Sequence, residues 1–202
     1  MPRHRFSDTR DRIEKAAIRL FVAKGVSETS VRDIARAVDI SEGALYRHFV
    51  SKEQLVWTIF ERQYVEFAHE LQALVENAGS AREKVAAMIA KFCRAHDENP
   101  TLFRFLLFVQ YEQLHKLGPD TLTPVQVVRN VLGAAIASGE IPQQPPDLAT
   151  ALLFGVVLEP VQFAAFGHLP AEMTALCDRL VAAAWAAVNS VNSVTSVPKE
   201  TR

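Results

Sequence analysis

What most constrains this chain is its punctuation: residues that cap helix N-termini recur at short intervals, each followed by apolar residues in a helical rhythm. Ser30 with Asp33, Ser51 with Gln54 and Ser80 with Glu83 have capping-box spacing, and Ser41 is a further N-cap. Asn99-Pro100 and Thr123-Pro124 put proline in a first helical turn, where its missing N–H costs nothing. Stop signals follow at Gly25, Ala78-Gly79, Gly118-Pro119 and Ser138-Gly139. No run of alternating apolar and polar residues is long enough for a sheet. The chain is therefore predicted to be all-α, with nine helices over about 8–24, 30–38, 41–49, 51–77, 80–97, 99–118, 123–138, 147–167 and 171–189, and a disordered tail over 190–202.

Three capped helices within the first fifty or so residues make a small domain, predicted over 1–52, and the rest of the chain a larger helical domain over 53–189. Charge divides the same way. Residues 1–52 carry eleven Lys and Arg against seven Asp and Glu, a net of +4, while the remainder has eleven against sixteen, a net of −5. The basic end is the candidate nucleic-acid end. The two cysteines, Cys93 and Cys177, lie far apart and form no C-x-x-C pair, so neither a disulfide framework nor a zinc site is expected. The polar, basic N-terminus and the brevity of the apolar runs 151–158 and 180–188 predict a cytoplasmic protein with no membrane partner.

Helix, short turn, Ser-capped helix is the geometry in which one helix braces and the next enters the DNA major groove, though many all-α proteins contain such pairs. The third helix, about 41–49, narrows the reading. Leu45 and Phe49, at i and i+4, must point inward with Ile34. At 100° per residue Gly43 and Arg47 then lie nearly opposite the core, with Ala44 and Tyr46 on the flanks. Gly43 and Ala44 let the backbone approach base edges, Arg47 can pair with guanine O6 and N7, and Tyr46 can donate to a phosphate.

The stretch TSVRDIARAVDISEGALYRHFVSKEQL, with its L-Y-x-H-F-x-S-K ending, resembles the DNA-binding signature of the TetR family, and the likeness reaches back through AAIRLFVAKG. The resemblance covers roughly the first 55 residues. It implies phosphate contacts from Thr29, Ser30, Tyr46, His48 and Lys52, and places Glu42, Gly43, Ala44 and Arg47 along or beside the bases. His48 sits close enough to the inward face that a packed helix-end histidine is the competing reading. Where such proteins commonly have Gly in the turn, this chain has Asp39, which tolerates the left-handed conformation better than most residues.

By the same resemblance the helices after Ser80 enclose a cavity for a small-molecule effector, and the last two form a four-helix interface in a homodimer that reads a palindromic operator. The segment LFRFLLFVQY is apolar almost all round, which predicts a helix buried on every side. Phe103, Phe108, Tyr111 and Phe163, with Gln126 and Glu159 as polar residues in apolar helices, are the candidate effector contacts. The function expected is a repressor released from its operator by the effector. The alternatives are an activator of the same fold and a helical ligand-binding protein that does not bind DNA. No catalytic group is expected: Cys93 and His96 share a helix face but have no companion base or metal-ligand pair. No cofactor or metal is expected either.

Overall fold

A computed structural model of the chain describes residues 3–165 and 167–190, with side chains from Asp8 onward. Among the described residues all regular structure is helical, and nine α-helices follow one another: α1 (Arg3–Lys24), α2 (Val31–Ala37), α3 (Glu42–Tyr46), α4 (Lys52–Glu76), α5 (Ala81–Glu98), α6 (Pro100–Gln113), α7 (Pro124–Ser138), α8 (Pro146–Ala165) and α9 (Cys177–Asn189). Short 3₁₀ turns follow α6 at Leu114–Lys116 and precede α9 at Thr174–Leu176. The tail expected over 190–202 lies, from residue 191, outside the described residues.

The caps form as their spacing requires. Ser30 and Asp33 bond reciprocally, as do Ser80 with Glu83 and Thr123 with Gln126. Before α4, Ser51 Oγ accepts from the Gln54 N–H at 3.1 Å, and the Gln54 side chain reaches one residue further back, to the Val50 N–H at 2.7 Å.

The chain packs as two compact units. One contains the chain up to Glu66 together with Asn99–Thr121; the other contains Phe67–Glu98 and the chain from Leu122. This division differs from one at residue 52, because two further pieces join the head: the first half of α4 and the whole of α6. Ile13, Ala17 and Phe21 of α1, Ile34 of α2, Leu45 of α3 and Phe49 just after it, and Leu55, Ile59 and Phe60 of α4 form a buried cluster that Phe105 and Val109 of α6 complete. Phe21 and Phe105 stack with ring centroids 5.9 Å apart.

The expectation that α6 is buried all round is corrected here. Its inward stripe is Phe105 and Val109, whereas Phe108 is 59% and Tyr111 85% exposed. Arg104 lies over the Phe108 ring at 5.7 Å. Apolar residues on every face of a helical wheel do not by themselves reveal which face finds a neighbour.

In the second unit α5 and α8 each pack on both α7 and α9. Phe92 of α5 lies edge-on to both Phe67 and Phe154, at 4.9 and 5.7 Å. The apolar run read over 151–158 is the middle of a 20-residue helix, α8, which by length and composition is long enough to cross a bilayer and has 28% of that window buried. Pro160 lies inside it, so the helical bond to the Val156 carbonyl is missing.

Helix α9 begins later than the sequence predicts. Asp97 of α5 accepts hydrogen bonds from the Met173 and Thr174 N–H groups and the Thr174 hydroxyl, at 2.8, 2.8 and 2.6 Å, and so holds the preceding segment in a 3₁₀ turn. Burial works against the charged carboxylate, but His96, Thr174 and Met173 outweigh it and hold the Asp97 pKa down to about 2.

Candidate nucleic-acid interface

Local hydrogen bonds fix the pair α2–α3. Ser30 caps α2, and Asp33 also pairs with Lys24 at 2.8 Å. Lys24 first, then the bonds from Ser30, hold the Asp33 carboxyl well below the usual carboxylate range. Helix α2 ends at a turn in which Asp39 adopts φ 55°, the left-handed conformation expected of it. The Ile40 N–H returns to the Ala35 carbonyl at 3.0 Å, and Arg12 of α1 donates to the Val38 carbonyl at 2.6 Å, so side chain and backbone together close the helix. These bonds satisfy carbonyls that a helix C-terminus otherwise leaves unpaired.

Ser41 then caps α3 by accepting from the Ala44 N–H at 3.1 Å. The α-helical pattern stops at Tyr46 rather than 49, because the last turn tightens: His48 N–H bonds back three residues to Leu45 at 2.8 Å, while Phe49 N–H still reaches the same carbonyl at 3.1 Å. Leu45 and Phe49 are 1% exposed and fix the orientation of the segment. On the other side Gly43 and Arg47 are exposed, Tyr46 is 48% exposed and Ala44 is half-buried. A Cβ built on Gly43 would meet no heavy atom within 4 Å. The outer face of α3 is therefore small, basic and aromatic, with nothing of its own chain in front of Gly43.

Other residues named from the sequence fall into several environments. Ser30 is exposed at the mouth of α2. Glu42 accepts from Arg32 of α2 at 2.9 Å, a pair that the sequence reading missed. Arg32 and Arg36, both exposed, form an i, i+4 basic pair opposite Ile34 and Ala35; that spacing was the available signal. His48 is half-buried, and burial first, then the charges of Arg10 and Arg47, lower its pKa. Arg10 itself lies over the Phe49 ring at 5.0 Å.

Two residues depart from the role the resemblance implies. Thr29 is 1% exposed and its hydroxyl donates to the Gly25 carbonyl at 2.7 Å, so its side chain braces the loop instead of facing a phosphate. Lys52 donates to the carbonyls of Val26 and Ser27, at 2.8 and 3.3 Å, tying the first turn of α4 to the loop ahead of α2. A third ammonium hydrogen is left for another acceptor. Nearby, Glu14 of α1 is buried and is held by Arg10, at 3.3 Å, and by Arg62 of α4.

Residues 13–57 match the family model for bacterial regulatory proteins of the tetR family. This segment is of the tetR-family type. The matched residues contain α2, the Asp39 turn and α3, and relatives agree with the assignment. Over 151 residues the chain is 25% identical to the fatty acid metabolism regulator protein of Bacillus subtilis, covering 72% of this chain and 78% of that one. It is 28% identical over 141 residues to the HTH-type transcriptional regulator SrpR of Pseudomonas putida, covering 67% and 64%.

Solved structures share the fold along nearly the whole chain. A tetR-family transcription regulator from Marinobacter aquaeolei superposes with a TM-score of 0.75 at 23% identity, covering 92% of this chain and 98% of the other. The regulator FadR of Bacillus subtilis, solved in complex with stearoyl-CoA, gives 0.71 at 19% identity, covering 90% and 98%.

The candidate effector contacts are divided between the units. Phe103, Phe108 and Tyr111 belong to α6 in the first unit, and Gln126, Glu159 and Phe163 to the second. Phe103 is buried, and Phe108, Tyr111 and Phe163 are exposed. Gln126 and Glu159 do not stand alone in apolar surroundings: Gln126 completes the capping box of α7, and Glu159 accepts from Gln162 at 3.1 Å. Each has a local partner that accounts for a polar residue there.

Proposed function

We propose that this chain is a tetR-family regulator that binds a palindromic operator as a homodimer and represses until a small-molecule effector releases it. The observation that carries the reading is the outer face of α3. Buried Leu45 and Phe49 lock one side, and the side turned away presents Gly43, Ala44, Tyr46 and Arg47 to solvent. In this reading Arg47 reads a base, Gly43 and Ala44 allow close approach, and Tyr46, Ser30 and His48 meet phosphates. Glu42 stays beside the bases as the partner of Arg32. Lys52 positions the reading head through the loop carbonyls and offers its remaining hydrogen to the backbone. Thr29 is left out of the contact set.

Homodimerisation through α8 and α9 draws support from their outward faces. Leu148, Ala151, Gly155 and Phe163 of α8 and Ala182, Ala183 and Ala186 of α9 are exposed although apolar or small. Such a surface favours close helix-on-helix association, and two-fold pairing sets two recognition helices on one palindrome.

For the effector, the similarity to a fatty acid metabolism regulator and to a fold that holds stearoyl-CoA makes a long-chain acyl thioester the first class to test. Because α4 is one unbroken helix from Lys52 to Glu76, a shift of its far end moves the Lys52 clamp and with it the head. An effector that prefers the shifted state must weaken DNA binding, and DNA must weaken effector binding by the same factor. Titrating stearoyl-CoA with and without operator tests the scheme: a several-fold loss of affinity on adding DNA supports it, and equal affinities contradict it.

A further inference from the structure

The chain has two cysteines, and the fold brings them together. Cys93 lies on the buried face of α5, one turn ahead of Asp97. Cys177 opens α9 on the inward stripe that continues through Leu180, Ala184 and Val188. The Asp97 carboxylate holds Thr174, which precedes Cys177 by one 3₁₀ turn. With α5 and α9 packed on each other and Asp97 opposite Thr174, one turn back along α5 and one turn forward along α9 reach the same level. At that level Cys177 acts on Cys93: burial first, then Cys177 and Asp97, push the Cys93 pKa up to about 12. Cys93 is buried, whereas Cys177 is only half-buried and within reach of a small oxidant.

We propose that Cys93 and Cys177 are an oxidisable dithiol that a hydroperoxide closes into an intrachain disulfide, fastening the start of α9 to α5. The Cys177 sulfur attacks the hydroperoxide; the O–O bond breaks, leaving a sulfenic acid and releasing water from hydrogen peroxide or an alcohol from an organic hydroperoxide. The Cys93 sulfur then attacks the Cys177 sulfur; the S–S bond forms, the S–O bond breaks, and the hydroxyl leaves with the thiol proton as water. Two thiols lose two electrons and the hydroperoxide gains them. Burial holds Cys93 in its neutral, less nucleophilic form, so closure is slower than it would be from an exposed thiol. The modification acts on the inward side of α9 and is independent of the DNA-reading face.

The full chain, reduced and then treated with hydrogen peroxide, is alkylated after denaturation and mapped by mass spectrometry. The expected product has lost two mass units, has no alkylatable thiol, and yields one cross-linked peptide joining Cys93 to Cys177, reversed by dithiothreitol. Cys93→Ser should instead accumulate a dimedone-reactive sulfenic acid at Cys177, and Cys177→Ser should form no cross-link. The wild-type map is decisive on its own. Two thiols left free, Cys177 oxidised to sulfinic acid with Cys93 still reduced, or a disulfide joining two chains would each overturn the proposal.

Discussion

Gly43→Ala separates what α3 needs for its own stability from what DNA needs of it. Glycine within a helix is less stable than alanine by about 0.5–1 kcal/mol, through the greater backbone freedom of the unfolded chain. At Gly43 nothing lies within 4 Å of the added methyl, so the folded state incurs no clash and the variant should be more stable. Because α3 is five residues long and Gly43 is in its first turn, the gain should fall at the low end, about 0.5 kcal/mol. Against DNA the sign reverses. If the backbone at Gly43 approaches base edges, the methyl overpacks the interface, which costs roughly 1–3 kcal/mol, or about a 5- to 150-fold loss of affinity. Urea unfolding at fixed protein concentration reads the first effect, and fluorescence anisotropy of a labelled operator reads the second. A variant that binds operator as tightly as wild type would refute the close approach; one that unfolds at lower urea would refute the open-space argument.

Three further outcomes are expected. Arg62→Met should destabilise the protein by about 1–3 kcal/mol, less than for a fully buried pair because Arg10 still reaches the Glu14 carboxylate, whereas Glu14→Met should cost under about 1 kcal/mol because both arginines can turn to water; chemical denaturation showing the reverse order would contradict the assignment. Asp39→Gly should raise stability by up to about 1 kcal/mol and Asp39→Val lower it by about 1–2 kcal/mol, since φ 55° suits glycine and not a β-branched residue; equal melting temperatures would count against strain at the turn. Gly155→Arg, placed where an added Cβ meets no atom of its own chain within 4 Å, should leave helix content unchanged and yield monomers in analytical ultracentrifugation; an unaltered dimer would exclude this face from the interface.

Most features set by near neighbours were legible in the sequence, and features set by distant ones were not. Capping boxes at Ser30 and Ser80 lie within one turn, so their spacing reveals them, and the inward pair Leu45 and Phe49 follows from helical geometry alone. The left-handed turn at Asp39 is also local. By contrast, the membership of α6 in the head depends on Phe105 meeting Phe21, and nothing in an all-apolar stretch says which face is taken. Lys52 looks like a phosphate ligand in a motif, but the carbonyls it bonds lie 26 and 25 residues back and become neighbours only once the loop ahead of α2 and α4 are folded. The late start of α9 rests on Asp97, some three-quarters of a hundred residues earlier in the chain, and the same distant contact sets Cys93 beside Cys177. Polar residues in apolar helices were misleading for the opposite reason: Gln126 and Glu159 have partners only three residues away, which a search for stranded polarity overlooks.

The claim on which the account depends is that α3 reads DNA sequence through Arg47. Selection of bound duplexes from a random pool, carried out in parallel with the wild-type protein and with Arg47→Ala, tests it most directly. The wild type should enrich a palindrome, with affinity that falls steeply as salt rises. Arg47→Ala should still enrich the same palindrome but lose preference at one base pair in each half-site. A wild-type pool with no enriched sequence, or an Arg47→Ala pool with unchanged preference at every position, would contradict it.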